Sequence, residues 1–185
     1  MSESPKLTIS AKIKIGVGIG ITVWLVDQFI KYLIVEWVEL PRYGSIQLLP
    51  FLNLTFARNY GLAMSRFNIA GDLARWTLVG VMIFITLGVC WLLTRALRWL
   101  DAIAFGLVLG GAIGNITDRT RLGYVVDFIH FHLGSLSFYL FNVADSAISI
   151  GVLMIVLGQF WELRRPMLVE SSKSQRRARR RDDLG

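Results

Sequence analysis

Three aspartates, Asp118, Asp127 and Asp145, fall within residues 110–145, each beside a long apolar run. Their settings are Gly-Asn-Ile-Thr-Asp-Arg (114–119), Val-Val-Asp-Phe (125–128) and Phe-Asn-Val-Ala-Asp-Ser (141–146). A carboxylate close to hydrocarbon is costly unless it is paired or used. Two such groups at short range push their pKa values apart, so one retains a proton that the other has lost. That division suits acid–base chemistry on a water molecule. Local sequence separates the three. Asp118 is followed directly by Arg119, with Arg121 close by, and is expected to form a charge-neutralised structural pair. Asp127 lies in Tyr-Val-Val-Asp-Phe, where desolvation should raise its pKa. Asp145 opens an apolar run, and a helix N-terminus there would favour its ionised form. Taken singly, Asp127 also reads as a solvated loop residue and Asp145 as a simple N-terminal helix charge; the joint pattern favours chemistry.

Other chemistries are poorly supplied. His130 and His132 flank Phe131, but no third ligand stands at recognisable spacing, so no metal site is expected. No Gly-x-Ser-x-Gly elbow occurs, and Ser146 has no evident base. The single cysteine, Cys90, excludes an internal disulfide and sits in Gly-Val-Cys-Trp-Leu, where a buried inert thiol is expected.

The elements that must position the carboxyls are membrane spans. With 54% hydrophobic residues and a mean hydropathy of +0.54, the chain is too apolar for an ordinary soluble domain of 185 residues. Its apolar residues fall in blocks: about Ile13 to Val35, Trp76 to Leu93, Leu100 to Ile116, and Val143 to Trp161. The first block follows basic residues, as a secretory signal would, but it runs to about 20 residues without a small-x-small cleavage site and reads as a retained span. Near its far end, Asp27 and Lys31 are four apart on one helical face and are expected to pair. The third block is rich in Gly106, Gly110, Gly111, Ala112 and Gly114, so it should lie at the centre of the bundle.

Between the first two spans the chain is too polar to cross. Leu52, Leu54 and Phe56 alternate with Asn53, Thr55 and Ala57, the period of a half-buried strand. Asn59-Tyr60-Gly61 then predicts a turn, followed by a short continuation over 62–65. Such a sheet would either lend an edge to an extended peptide or serve as an ordinary hairpin. The fold class is therefore an all-α membrane protein: four transmembrane helices, a small extracytoplasmic β-sheet segment and a short extracytoplasmic loop or helix.

The net charge of +7 is concentrated in the tail, at Arg176, Arg177, Arg179, Arg180 and Arg181. Such a tail can attract anionic lipid or nucleic acid, but the expectation is a solvated cytoplasmic tail that fixes orientation, with no nucleic-acid partner. The amino end, the Arg95/Arg98 loop and the tail then share the cytoplasmic side. Both the strand segment (38–72) and the 118–142 loop lie outside. Asp27, about 21 Å up an outward-going helix, joins Asp118, Asp127 and Asp145 near the outer boundary. A proton- or ion-coupled transporter would instead prefer acids at mid-depth and broken helices in paired halves.

At these residues the chain resembles the lipoprotein signal peptidases, the signal peptidase II enzymes of bacteria. The ordered blocks are Asp27-Gln28-x-x-Lys31, Asn59-x-Gly61-x-Ala63, Gly114-Asn115-x-x-Asp118-Arg119, Val125-Val126-Asp127-Phe128 and Phe141-Asn142-x-Ala144-Asp145-Ser146. Met64 stands where the family usually has phenylalanine. The resemblance implies an aspartic endopeptidase of the bacterial cytoplasmic (inner) membrane with Asp127 and Asp145 as its catalytic pair. By the same carry-over, Asn59, Gly61, Asn115, Asp118, Arg119 and Asn142 support or line the site. It implies diacylglyceryl-modified prolipoproteins as substrates, cleaved just before the lipidated cysteine, with membrane lipid as surroundings, no cofactor or metal, and a monomer. Residues 1–165 would be one integral membrane peptidase domain and 166–185 a basic disordered tail.

Overall fold

The computed structural model describes residues 5–61, 72–133 and 136–161. Helix α1 (Pro5–Tyr32) runs into a π-helical turn (Leu33–Trp37) and the short α2 (Leu40–Tyr43). Strands β1 (Ser45–Leu49) and β2 (Leu52–Asn59) follow, then α3 (Asp72–Thr94) and α4 (Trp99–Leu122). Strands β3 (Val125–Leu133) and β4 (Leu136–Phe141) lead into α5 (Val143–Trp161). Among the described residues four segments are long and apolar enough to cross a membrane: Ile9–Trp37, Asp72–Thr94, Trp99–Leu122 and Val143–Trp161, with mean hydropathy of 1.6, 2.2, 1.6 and 1.8. The expected continuation over 62–65 and the basic tail lie outside the described residues.

Helix α4 is the centre of the bundle, as its glycines predict. A Cβ on Gly106 would collide with the Gly16 carbonyl, and one on Gly110 would stand 2.5 Å from the Gly20 carbonyl of α1. On another side of α4, Gly111 abuts the Ala144 carbonyl of α5. In lipid there is little hydrophobic force between helices, so close backbone approach supplies the packing. The outward faces stay apolar and exposed, as at Phe84 (78%) and Leu157 (58%). This corrects the expectation for Cys90, which is exposed on α3. An apolar run inside a span marks hydrocarbon as readily as protein interior.

The four strands form one antiparallel sheet in the order β1-β2-β3-β4. The sheet is larger than the 52–57 alternation alone predicts. The segment expected as a loop over 118–142 holds instead the end of α4, strands β3 and β4, and the residue that caps α5. Phe128 and Val126 of β3 join Ile34 and Leu40 in a core against which Leu54 and Phe56 pack. Asp127, between them in a period-two strand, points away from that core. Farther along the β2–β3 pair Thr55 meets His130 Nδ1 at 3.2 Å, and Asn53 meets His132 Nε2 at 3.1 Å. The sheet therefore rests one apolar side on the end of α1 and carries Asp127 to the start of α5.

Candidate active site

Asp127 enters on β3, paired in register with Ala57 of β2. Two residues along β2, Asn59 donates from Nδ2 to Asp127 Oδ2 at 2.9 Å. The amide is oriented by its other end, where Asn59 Oδ1 accepts the Gly61 N–H at 2.8 Å. Gly61 has φ +90°, a conformation glycine adopts without steric cost, so the predicted turn fixes which atom of Asn59 meets the carboxyl. Asn142 Nδ2 donates to Asp127 Oδ1 at 2.7 Å, so both carboxyl oxygens are held by neutral amides.

Asp145 enters in the first turn of α5. Asn142 caps that helix: its Oδ1 accepts the Asp145 N–H at 3.0 Å, and Asp145 Oδ2 accepts the Asn142 N–H at 3.4 Å. This reciprocal pair is a capping box, built here from Asn and Asp. Asn115 of α4 donates from Nδ2 to Asp145 Oδ1 at 2.7 Å, and Asn142 Nδ2 lies 3.4 Å from Asn115 Oδ1. The two carboxyls are thus joined through a pair of asparagines. Asp127 is 2% exposed, and its pKa is pushed up from 3.8 to about 6. Burial is the main cause, and the nearby Asp145 charge adds to it; bonds from Asn59 and Asn142, and the Lys31 charge, act in the opposite direction.

A second group of charges lies behind this one. Lys31 Nζ stands 2.8 Å from Asp27 Oδ2 and 2.8 Å from Asp118 Oδ2, all three side chains nearly fully buried. The Asp27–Lys31 pair is the predicted one. The Asp118–Arg119 pair is not formed. Consecutive helical residues point about 100° apart, so Asp118 turns toward α1 while Arg119 does not. Gln28 Nε2 completes the group by donating to Asp118 Oδ1 at 2.8 Å. Each member reaches toward the first site. Asp27 Oδ1 accepts the Ala144 N–H at 2.9 Å, Asp118 Oδ2 accepts the Val126 N–H at 3.2 Å, and Lys31 Nζ lies 3.5 Å from Asn115 Oδ1.

Arg119 is buried, with Nη1 3.5 Å from the Asn115 carbonyl and within electrostatic reach of Asp118, Asp127 and Asp145. Its Nε has no hydrogen-bond partner among the described residues. All eight residues singled out from the sequence therefore converge at one end of the bundle. Sequence reasoning left out Asp27, Gln28 and Lys31 as supports of the site, although the Asp27-Gln28-x-x-Lys31 block and the predicted depth of Asp27 pointed to them; their contacts with α4 and α5 are tertiary. Among the described residues no three His, Cys, Asp or Glu side chains converge as a metal would require.

Comparison with known proteins agrees with this geometry. Residues 19–161 match the family model for signal peptidase (SPase) II. The lipoprotein signal peptidase of Sphingopyxis alaskensis is 43% identical over 148 residues, covering 80% of this chain and 86% of that protein. That of Rhizorhabdus wittichii is 48% identical over 145 residues, covering 77% and 84%. A solved bacterial membrane enzyme superposes with a TM-score of 0.68 at 29% identity, covering 81% of this chain and 90% of its own. The match of fold, of spans and of the greater part of the sequence shows that this chain belongs to the signal peptidase II family of lipoprotein signal peptidases.

Proposed function

We propose that the chain cleaves diacylglyceryl-modified prolipoproteins just before the lipidated cysteine, with Asp127 and Asp145 as an aspartic dyad. The observation that carries this reading is the asparagine bridge between two carboxyls, one of which holds its proton up to about pH 6. With no ammonium or guanidinium in direct contact with either among the described residues, the pair is suited to sharing one proton. The ionised member takes a proton from water as it attacks the scissile carbonyl. The protonated member donates to the carbonyl oxygen, and a proton is then delivered to the departing amine. Because the dyad titrates as a unit, base and acid are roles of the pair.

The surrounding residues have matching tasks. Asn59, with Gly61 behind it, and Asn142 hold Asp127. Asn115 holds Asp145, and Asp118 anchors the start of β3. The unpartnered Nε–H of Arg119 is available to a main-chain carbonyl of the bound peptide. Acyl chains left in the bilayer contribute about 0.8 kcal/mol per buried CH₂, so lipid can set the depth of the scissile bond with few polar contacts.

The site faces the outer leaflet with both termini cytoplasmic. Lys12, which donates to the Leu97 carbonyl, and Arg98, whose Nη1 lies 3.2 Å from the Gly158 carbonyl, mark the end of the bundle opposite the dyad. By the positive-inside rule that basic end is cytoplasmic. Residues 1–165 act as one peptidase domain, and the enzyme works as a monomer with no metal or cofactor. The deciding experiment incubates purified protein with a diacylglyceryl-modified precursor and its unmodified twin. The expected result is a shortened product from the modified precursor alone; equal cleavage of both twins rejects the lipid requirement.

A further inference from the structure

The Trp37 end of the first span and the Leu122 end of the third enclose a partly open cavity of about 150 Å³. Lys31, Asp118, Glu36 and Arg121 line it, two positive and two negative groups. Lys31 and Asp118 satisfy each other at 2.8 Å. Glu36 and Arg121 make no ion pair or hydrogen bond among the described residues. One unpaired carboxylate and one unpaired guanidinium therefore share a single cavity.

Its depth matters as much as its charge. Glu36 lies one residue from the end of its span, and Arg121 one residue from the end of its own. That is the level of phospholipid headgroups, where charged ends are solvated and aromatic rings collect. Tyr32 and Leu122 also line the cavity and are exposed at 55% and 47%, an apolar lip turned toward the bilayer. A purely basic patch would take any anionic lipid. Here the carboxylate repels a headgroup that carries only negative charge, and rewards one that also carries an ammonium.

We propose that this cavity binds the headgroup of a zwitterionic glycerophospholipid with a primary ammonium, its phosphate on Arg121 and its ammonium on Glu36. Arg121 offers planar donors that match phosphate oxygens, and Glu36 accepts ammonium hydrogens that a choline headgroup lacks. The volume accommodates the headgroup and leaves the acyl chains to run past Tyr32 and Leu122 into the bilayer.

The test reconstitutes the full chain in nanodiscs of phosphatidylethanolamine, phosphatidylcholine and phosphatidylglycerol in equal parts, then counts retained lipids by native mass spectrometry. Wild type is expected to retain the ethanolamine lipid about fivefold over each of the others, a preference of the size two charge-assisted contacts can supply. Glu36→Gln and Arg121→Gln should each reduce it to less than about twofold, and among the described residues neither side chain makes a hydrogen bond or ion pair with the dyad or its supports. Unchanged melting temperature and precursor cleavage in both variants show that they are folded. Equal retention of the three lipids by wild type overturns the proposal, as does an ethanolamine preference that survives both substitutions. Choline lipid held as tightly as ethanolamine lipid overturns the ammonium contact. A glycerol-headgroup preference abolished by Arg121→Gln alone overturns the zwitterionic reading in favour of a simple anion site.

Discussion

Asp27 and Asp118 share the Lys31 ammonium at 2.8 Å each, whereas Asp127 and Asp145 are held by asparagine amides. The two groups sit side by side and are linked through Asn115, which Lys31 approaches on one side while it holds Asp145 on the other. The same residue type thus serves two ends. A cation in contact with a buried carboxyl makes it a fastener. A neutral amide orients a carboxyl and leaves its proton negotiable, which is what acid–base chemistry uses. Among the described residues at this end of the bundle, three buried acids (Asp27, Asp118, Asp127) and the half-buried Asp145 face two buried cations (Lys31, Arg119), so a retained proton relieves the imbalance at the pair with no cation in contact.

The contrast is broken most severely by making either member of the amide-held pair unable to ionise. Asp127→Asn or Asp145→Asn should each lower cleavage of the modified precursor by about a thousandfold or more, while the protein still inserts and melts cooperatively. Wild-type turnover in either variant would remove the dyad. The cation-held pair should fail in the opposite way. Lys31→Met leaves Asp27 and Asp118 buried without their counterion, and unfolding in detergent should show a loss of about 3–5 kcal/mol. A Lys31→Met protein as stable as wild type would show that the ammonium is no fastener.

Titration sharpens the same distinction. Asp127 ionises at about 6 in the folded protein against an ordinary 3.8, so the folded state holds its proton more firmly than the unfolded chain does. Its stabilising contribution is complete below the ordinary value and is lost as pH rises through about 6. Melting temperatures of wild type and Asp127→Asn, compared at pH 5 and pH 8, should therefore shift in the variant's favour at pH 8. On the same basis kcat/KM should fall as pH rises through about 6. The smallest effect is expected from Asn59→Ala. Its bond holds the Asp127 pKa down, so the basic limb of that profile should move upward, with the change read from a pH–rate curve. A downward move would mean that Asn59 instead accepts the O–H of the protonated carboxyl through Oδ1.

The spans were legible because hydrocarbon demands long apolar runs, and the central place of α4 was legible in its small residues. Its boundary was harder to read. Helix α4 continues to Leu122, two turns past the apolar block, because Arg75 Nε donates to the Arg119 carbonyl at 2.7 Å and Gly123 caps the end. Strand β3 begins with Val-Val-Asp-Phe, buried throughout, so it shows no alternation and passed for a loop. Asp118 was matched to its sequence neighbour when its partner lies 87 positions earlier, on a different helix. The roles of Asn115 and Asn142 came from the family resemblance; no local pattern announces a hub that joins a strand, a helix cap and another span.

One contact reaches across 117 positions of the chain: Asp27, on the first span, accepts the Ala144 N–H in the opening turn of the last. During synthesis, three spans are therefore in the membrane before this acceptor meets its donor. Asp145, the second carboxyl of the proposed dyad, is the residue after Ala144, so it arrives in the same movement. Under the proposed mechanism, ribosome-bound chains carry the scaffold of a protease without the means to cut, and hydrolytic power appears only when the final helix is threaded home.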